Sequence, residues 1–178
     1  MVSFVLHRNL SLYEGSPDKR YYSKKFNGPG YRYEVALSIL SSDIVWIAGP
    51  YFPGEWNDIK IFRHGLMHEL DDGERVEADD GYWGECPMYC KCPRKLPKEE
   101  RKRMTGRLRM RHETVNERFK NFSCMASRFR HGGKKHAACF RAVVVLTQLA
   151  IESGEELFDM REYNDNLTDE QVVTLFGL

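Results

Sequence analysis

Three observations predict an α+β fold for this chain: three antiparallel strands, a helix, a further strand, then C-terminal helices. Residues 9–48 hold three short apolar segments with rough alternation, separated by turn-forming residues. At Asn57 the period changes from two to that of a helix. Beyond residue 107 the apolar side chains recur at helical spacing through two long segments.

Taken in order, Asn9 to Tyr13 (NLSLY) alternates polar and apolar residues as a half-buried strand does. Turn-formers follow at Gly15-Ser16-Pro17-Asp18 and at Asn27-Gly28-Pro29-Gly30. Tyr31 to Leu40 is rich in aromatic and β-branched residues and predicts a second strand; Asp43 to Ala48 predicts a third. Pro50 to Trp56 reads as a loop. Asn57 is a good N-cap, Asp58 complements the helix dipole, and Ile59, Phe62, Leu66 and Leu70 share one helical face. Asp72-Gly73 stops that helix, and Arg75 to Ala78 predicts a fourth strand. Residues 83–105, rich in cysteine, proline and lysine, read as irregular. Helices are predicted over about 107–129 and 136–152, with a last short one ahead of Val172-Val173, where Thr168 and Gln171 stand in capping-box spacing.

The 178 residues, 42% of them apolar, read as one domain able to bury a core. The longest apolar run, Ala142 to Ile151, is far short of the roughly 20 residues of a membrane span. The opening MVSFVLHRNL lacks the pattern of a signal peptide, so a secreted protein is not expected. Five unevenly spread cysteines do not suggest a disulfide framework and fit a reduced, intracellular setting. The net charge of +1 hides an asymmetry. Residues 91–135 carry sixteen Lys/Arg against four Asp/Glu, while both flanking segments are acidic. A basic block of this size suits a phosphate backbone, or else a solvated helix face.

Two places carry candidate chemistry. Asp79 stands at the end of a predicted strand, just before Gly81-Tyr82. A carboxylate there either meets an oxygen-seeking Mg²⁺ or caps the turn that follows. On the helix from 107, Leu108, Val115, Phe119, Phe122, Ala126 and Phe129 fall within about 80° of arc and form the predicted buried stripe. Arg109, Glu113, Asn116 and Lys120 lie roughly opposite, which is either a functional row or a solvated face with Arg109–Glu113 pairing. Arg111 sits near the apolar stripe and suggests a late start or fraying there. Cys86, Cys90 and Cys92 lack the usual C-x2-C spacing of a zinc site, and a set of four would need His112, Cys124 or His131 to fold back. Tyr31, Tyr33, Trp56, Tyr82 and Trp83 are candidates for stacking on bases, with core packing as the default.

The runs YSKKFNGPGYRYEV from Tyr22, IVWIAGP from Ile44, PGEWNDIKIFR from Pro53, VEADDGYWG from Val76, RHETVN from Arg111 and FRAVVVLTQLAIE from Phe140 together resemble the DDE superfamily endonucleases. These are transposase-derived proteins of the Harbinger and insertion-sequence kinds. The resemblance covers roughly residues 9–155, leaving 156–178 as a C-terminal extension. It implies an RNase H-like fold and a divalent-metal-dependent nuclease or strand-transfer reaction on DNA, with Mg²⁺ or Mn²⁺ as cofactor. It implies Asp79 as the second catalytic acid and Glu113 as the third, with Glu117 as the fallback one turn along. Arg109, Lys120 and Arg111 would then bind DNA phosphate. The family's first Asp, in an Asp-Gly-Thr-like motif, counts back to Leu6-His7-Arg8, and no acid precedes Glu14. Gly106 replaces the Tyr of the family's Tyr, Arg, Glu and Lys signature. A partial, N-terminally truncated catalytic domain with impaired activity is therefore expected. It would be nuclear or cytoplasmic and would rely on a separate DNA-binding subunit or upstream domain. The alternative is a non-catalytic DNA-binding or protein-interaction module using residues 91–135.

Overall fold

The structure is a computed structural model and describes residues 2–10, 18–24, 27–39, 41, 43–155 and 157. Strands β1 (Val2–Leu10), β2 (Tyr22–Ser23), β3 (Gly28–Pro29), β4 (Tyr31–Ser38) and β5 (Ile44–Tyr51) lead to helix α1 (Asp58–His64). Then come β6 (Arg75–Glu77), β7 (Cys90–Lys91), α2 (Lys98–Lys120), α3 (Ser123–Ala126) and α4 (Gly133–Glu152). Five strands form one sheet in the order β5-β4-β1-β6-β7, and β2 with β3 makes a separate small hairpin. β4 runs antiparallel to both β1 and β5, whereas β6 is parallel to β1 and β7 parallel to β6.

Several elements differ from the sequence expectation. The first strand is Val2–Leu10 and overlaps the predicted 9–13 only at Asn9 and Leu10; residues 11–13 lie outside the described residues. Its backbone pairs with β4 from Ser3↔Ser38 to Leu10↔Tyr31, a longer ladder than NLSLY could make. α1 has the predicted cap, with Asn57 Oδ1 accepting from Lys60 N at 3.0 Å, but it ends at His64 with Gly65 as its C-cap. β5 runs on through Pro50 and Tyr51, which had read as loop, and includes a cis Gly49-Pro50 bond. Gly49 has φ +125°, and a Cβ there would meet Arg32 O and the Tyr33 ring at 2.8 Å, so glycine is needed at this bulge.

The stretch 83–105, read as irregular, contains β7 and the first two turns of α2. α2 opens at Lys98 after Pro97, with Glu99 and Glu100 in its first turn to complement the dipole. It was hidden because Met104 is the one buried residue before Leu108, so apolar spacing gave no signal. It stops at Lys120 because Phe122 is extended; Ala126, expected in the buried stripe, is exposed. The helix predicted near 168–173 lies outside the described residues.

The two faces of β4 define the layers. Tyr31, Tyr33, Val35, Leu37 and Ile39 pack with Leu108, Val115 and Phe119 of α2 and Phe140, Val143 and Ile151 of α4. Ala36 packs on the opposite side with Phe62 of α1, Val76, Ala78 and Tyr82. The sheet is thus covered by α1 on one face and by α2 and α4 on the other.

His136 lies fully buried on α4, its Nδ1 sharing a 2.7 Å hydrogen bond with the Tyr33 hydroxyl. Burial pulls its pKa down to about 4. In the unfolded chain it titrates near the ordinary value of about 6.5. Its neutral form therefore contributes stability that is complete above that value and is lost as pH falls toward 4. We expect about 3 kcal/mol of acid destabilisation from this residue, measurable as the difference between wild type and His136→Gln in urea unfolding at pH 7 and pH 4.

Candidate functional site at the C-terminal end of β6

Where β6 leaves the sheet, Val76, Glu77 and Ala78 are buried and Asp79 emerges into solvent. Parallel pairing holds this end beside β1: Val2 is opposite Arg75, Ser3 opposite Val76 and Phe4 opposite Glu77. The Asp79 carboxylate folds onto the turn after it, Oδ1 accepting from Gly81 N at 2.8 Å, while Tyr82 anchors the turn in the core. Glu77, two residues earlier on the strand, is buried at 5% exposure. Lys91 Nζ and Arg107 Nη2 each lie 3.8 Å from its carboxylate.

Asp58 is the residue whose role the sequence reading missed. It opens α1, and Arg32 Nη1 holds its Oδ1 at 2.9 Å while also donating to Trp56 O at 2.7 Å. A Cβ placed on Gly81 would lie 2.8 Å from Asp79 Oδ1 and 3.6 Å from Asp58 Oδ2. The two carboxylates therefore face one small opening that glycine keeps clear. Glu34 lies deeper on the strand that carries Arg32. Trp46 Nε1–H donates to its Oε2 at 3.0 Å, and burial pushes its carboxyl up to about 8, with the nearby Asp58 charge adding to the rise. The only sequence signal for Asp58 was an Asn-Asp pair at a helix start, which capping already explains.

α2 carries the cations. Arg109, Glu113 and Lys120 are all exposed, on the face turned away from Leu108, Val115 and Phe119. Lys98, Arg101, Lys102, Thr105, Gly106 and Arg109 line a wide, open concavity along the same helix. Glu117 is exposed as well. Arg111 does not join this surface. It is 1% exposed in the middle of an unbroken helix, with Nη2 3.5 Å from Ile39 O, so the expected fraying and its expected contact with phosphate both give way to burial. The structure thus brings Arg109, Glu113 and Lys120 to one solvent face and sets Asp79 beside Asp58 at the sheet end.

The sequence profile of the DDE superfamily endonucleases matches residues 14–148. The chain belongs to that family. No curated protein and no solved structure matches the chain. The matched span takes in Asp58, Asp79, Arg109, Glu113 and Lys120.

DDE superfamily endonucleases work with divalent ions, and a hard ion such as Mg²⁺ wants several oxygen ligands at once. The described residues do not fit such a centre. Among them no three His, Cys, Asp or Glu side chains converge to hold an ion. Asp79 spends one oxygen on Gly81, Asp58 is tied to Arg32, and Glu113 stands on the outer face of α2. β1, with the sequence VSFVLHRNL, contains no carboxylate to set beside Asp79.

Cys86, Cys90 and Cys92 gather in the core on the α1 side of the sheet, Cys86 hydrogen-bonded to Cys92. Burial raises the Cys90 and Cys92 thiols well above their ordinary range, which keeps them protonated. Cys124, a proposed fourth ligand, packs in the opposite core beside Cys139. Of the candidate stacking aromatics, Tyr31, Tyr33 and Tyr82 are buried, and Trp83 lies beneath Arg94 and Lys95.

The placement of Arg111 separates stability from binding. Arg111→Ala should lower stability by about 3 kcal/mol in thermal or urea unfolding, since it empties a buried site. Arg109→Ala, on the exposed face, should leave stability within about 0.5 kcal/mol of wild type.

Proposed function

We propose that this chain is a transposase-derived, RNase H-like DNA-processing domain that retains DNA binding and carries an impaired phosphodiester-cleaving site. The observation behind the reading is the position of Asp79. It is an exposed carboxylate at the C-terminal end of the strand that pairs in parallel with the central strand of a β5-β4-β1-β6-β7 sheet. The strand order, three antiparallel strands followed by two parallel ones, supports the RNase H-like reading.

In this account Arg109 and Lys120 grip the DNA phosphates from the outer face of α2, and neighbouring Lys98, Arg101 and Lys102 extend the track. Phosphate contacts of this kind carry no sequence information, so target choice would come from a separate DNA-binding subunit or upstream domain. A divalent ion, Mg²⁺ or Mn²⁺, supplies the activation of the attacking oxygen in intact relatives. Here β1, with the sequence VSFVLHRNL, carries no carboxylate to partner Asp79. Glu113 on α2 is the third acid in this reading, with Glu117 one turn along as the fallback. A nuclear location is the one the family resemblance suggests, with a cytoplasmic one as the alternative.

Plasmid nicking and binding assays test this together. With Mg²⁺ or Mn²⁺ the chain should nick supercoiled DNA no faster than the Asp79→Ala and Glu113→Ala variants. All three should bind duplex DNA with a steep salt dependence. Arg109→Ala and Lys120→Ala should each reduce the salt slope by about 1. Brisk metal-dependent cutting that both acid substitutions abolish would overturn the impairment. Absence of DNA binding at low salt would sink the reading altogether.

A further inference from the structure

α4 has two apolar faces. One, formed by His136, Phe140, Val143, Val144, Thr147 and Ile151, is buried against the sheet. The other points to solvent: Val145 is 57% exposed, Leu146 51% and Leu149 51%, with Ala138 and Ala142 exposed beside them. Ala138, Ala142, Val145 and Leu149 follow one another at spacings of four, three and four. That is the seam repeat of a two-helix coiled coil, in which alternate side chains insert between those of a partner helix. Lys135 continues the seam at its N-terminal end and Glu152 at its C-terminal end, both exposed. Gln148 Nε2 donates to Glu152 Oε1 at 3.1 Å and to Asp43 Oδ1 at 2.9 Å, which steadies the acidic end without neutralising it.

The order of side chains along this seam identifies its partner. When the helix is laid antiparallel against an identical helix, with the two-fold axis midway between Ala142 and Val145, every layer is complementary. Ala142 meets Val145, Ala138 meets Leu149, and Lys135 meets Glu152. Each small residue faces a large one, so the helices can approach and still fill the interface. Each end closes with an opposite-charge pair. A parallel arrangement would set Lys135 against Lys135 and Glu152 against Glu152, and would stack the alanines into a gap. We infer that the solvent face of α4 is an isologous interface on which a second copy of this chain docks, helix against antiparallel helix. A seam of this length falls short of the roughly 1,200–2,000 Å² of a standard interface, so the dimer is expected to dissociate in the micromolar range.

Docking on this face does not depend on any cutting activity. Sedimentation equilibrium of the full chain should show a concentration-dependent monomer–dimer equilibrium. Val145→Glu and Leu149→Glu each place a charge in the seam and should abolish the dimer; circular dichroism checks that these surface variants still fold. Charge reversal then tests the direction of packing. Lys135→Glu alone and Glu152→Lys alone should each weaken association roughly tenfold, and the two combined in one chain should restore it, because both symmetric pairs are re-formed with the charges exchanged. A chain that stays monomeric to roughly 100 μM overturns the proposal and means that the face is covered by another segment or another protein. A dimer that survives Leu149→Glu, or one that the double reversal does not rescue, overturns it equally.

Discussion

β4 is enclosed on both faces, and the rest of the architecture follows from that. Of Tyr31 to Ser38, all but Arg32 are buried. Alternate side chains must therefore satisfy two different surroundings, helices α2 and α4 on one side and α1 on the other. Tyr33 meets one demand by pairing its hydroxyl with His136, and Glu34 meets the other by accepting from Trp46. Both are polar groups in a dry setting, and both show it: the imidazole is held neutral and the carboxyl is driven upward. Arg32 is the strand's contact with the outside. By holding Asp58 it ties the start of α1 to the sheet and points a second carboxylate toward Gly81.

Charge is divided between two regions of the molecule in a way that suits a DNA-processing ancestry. Acids collect where the sheet ends near Gly81, and cations run along the outer face of α2. Within the described residues Glu77 is the acid that joins them, lying between Lys91 and Arg107. Membership of the DDE superfamily endonucleases accords with a basic helix and a strand-end carboxylate occurring in one small domain. It also makes the composition of β1 informative. A central strand that contains His7, Arg8 and Asn9 and no carboxylate is a poor neighbour for an ion held at Asp79. The unpartnered apolar seam on α4 lies on the other side of that helix from the core, so it can evolve separately from the site.

Much of this was legible in the residues themselves. The Asn57 cap, the strands read at 31–40, 43–48 and 75–78 and the helix through Phe140 and Ile151 all rest on local chemistry: caps, turn residues and hydrophobic period. Asp79 could be singled out because a strand followed by Gly81-Tyr82 leaves an acid at a sheet end. α2 could not be read before residue 107, since a helix half immersed in solvent needs few apolar residues and offers no period. β7 was invisible for a related reason: two residues pair with β6 through backbone alone.

What the sequence determined by itself is therefore most of the run of elements, the family and the basic block. These depend on neighbours along the chain, within a few residues of one another. Tertiary structure decided which of those acids meet, because that depends on distances between segments far apart in sequence. It set Asp58 beside Asp79, turned Glu113 and Glu117 outward, and placed Arg111 in the core despite its charge. A helix face records which residues share a side. Only packing against the sheet decides which side is inside.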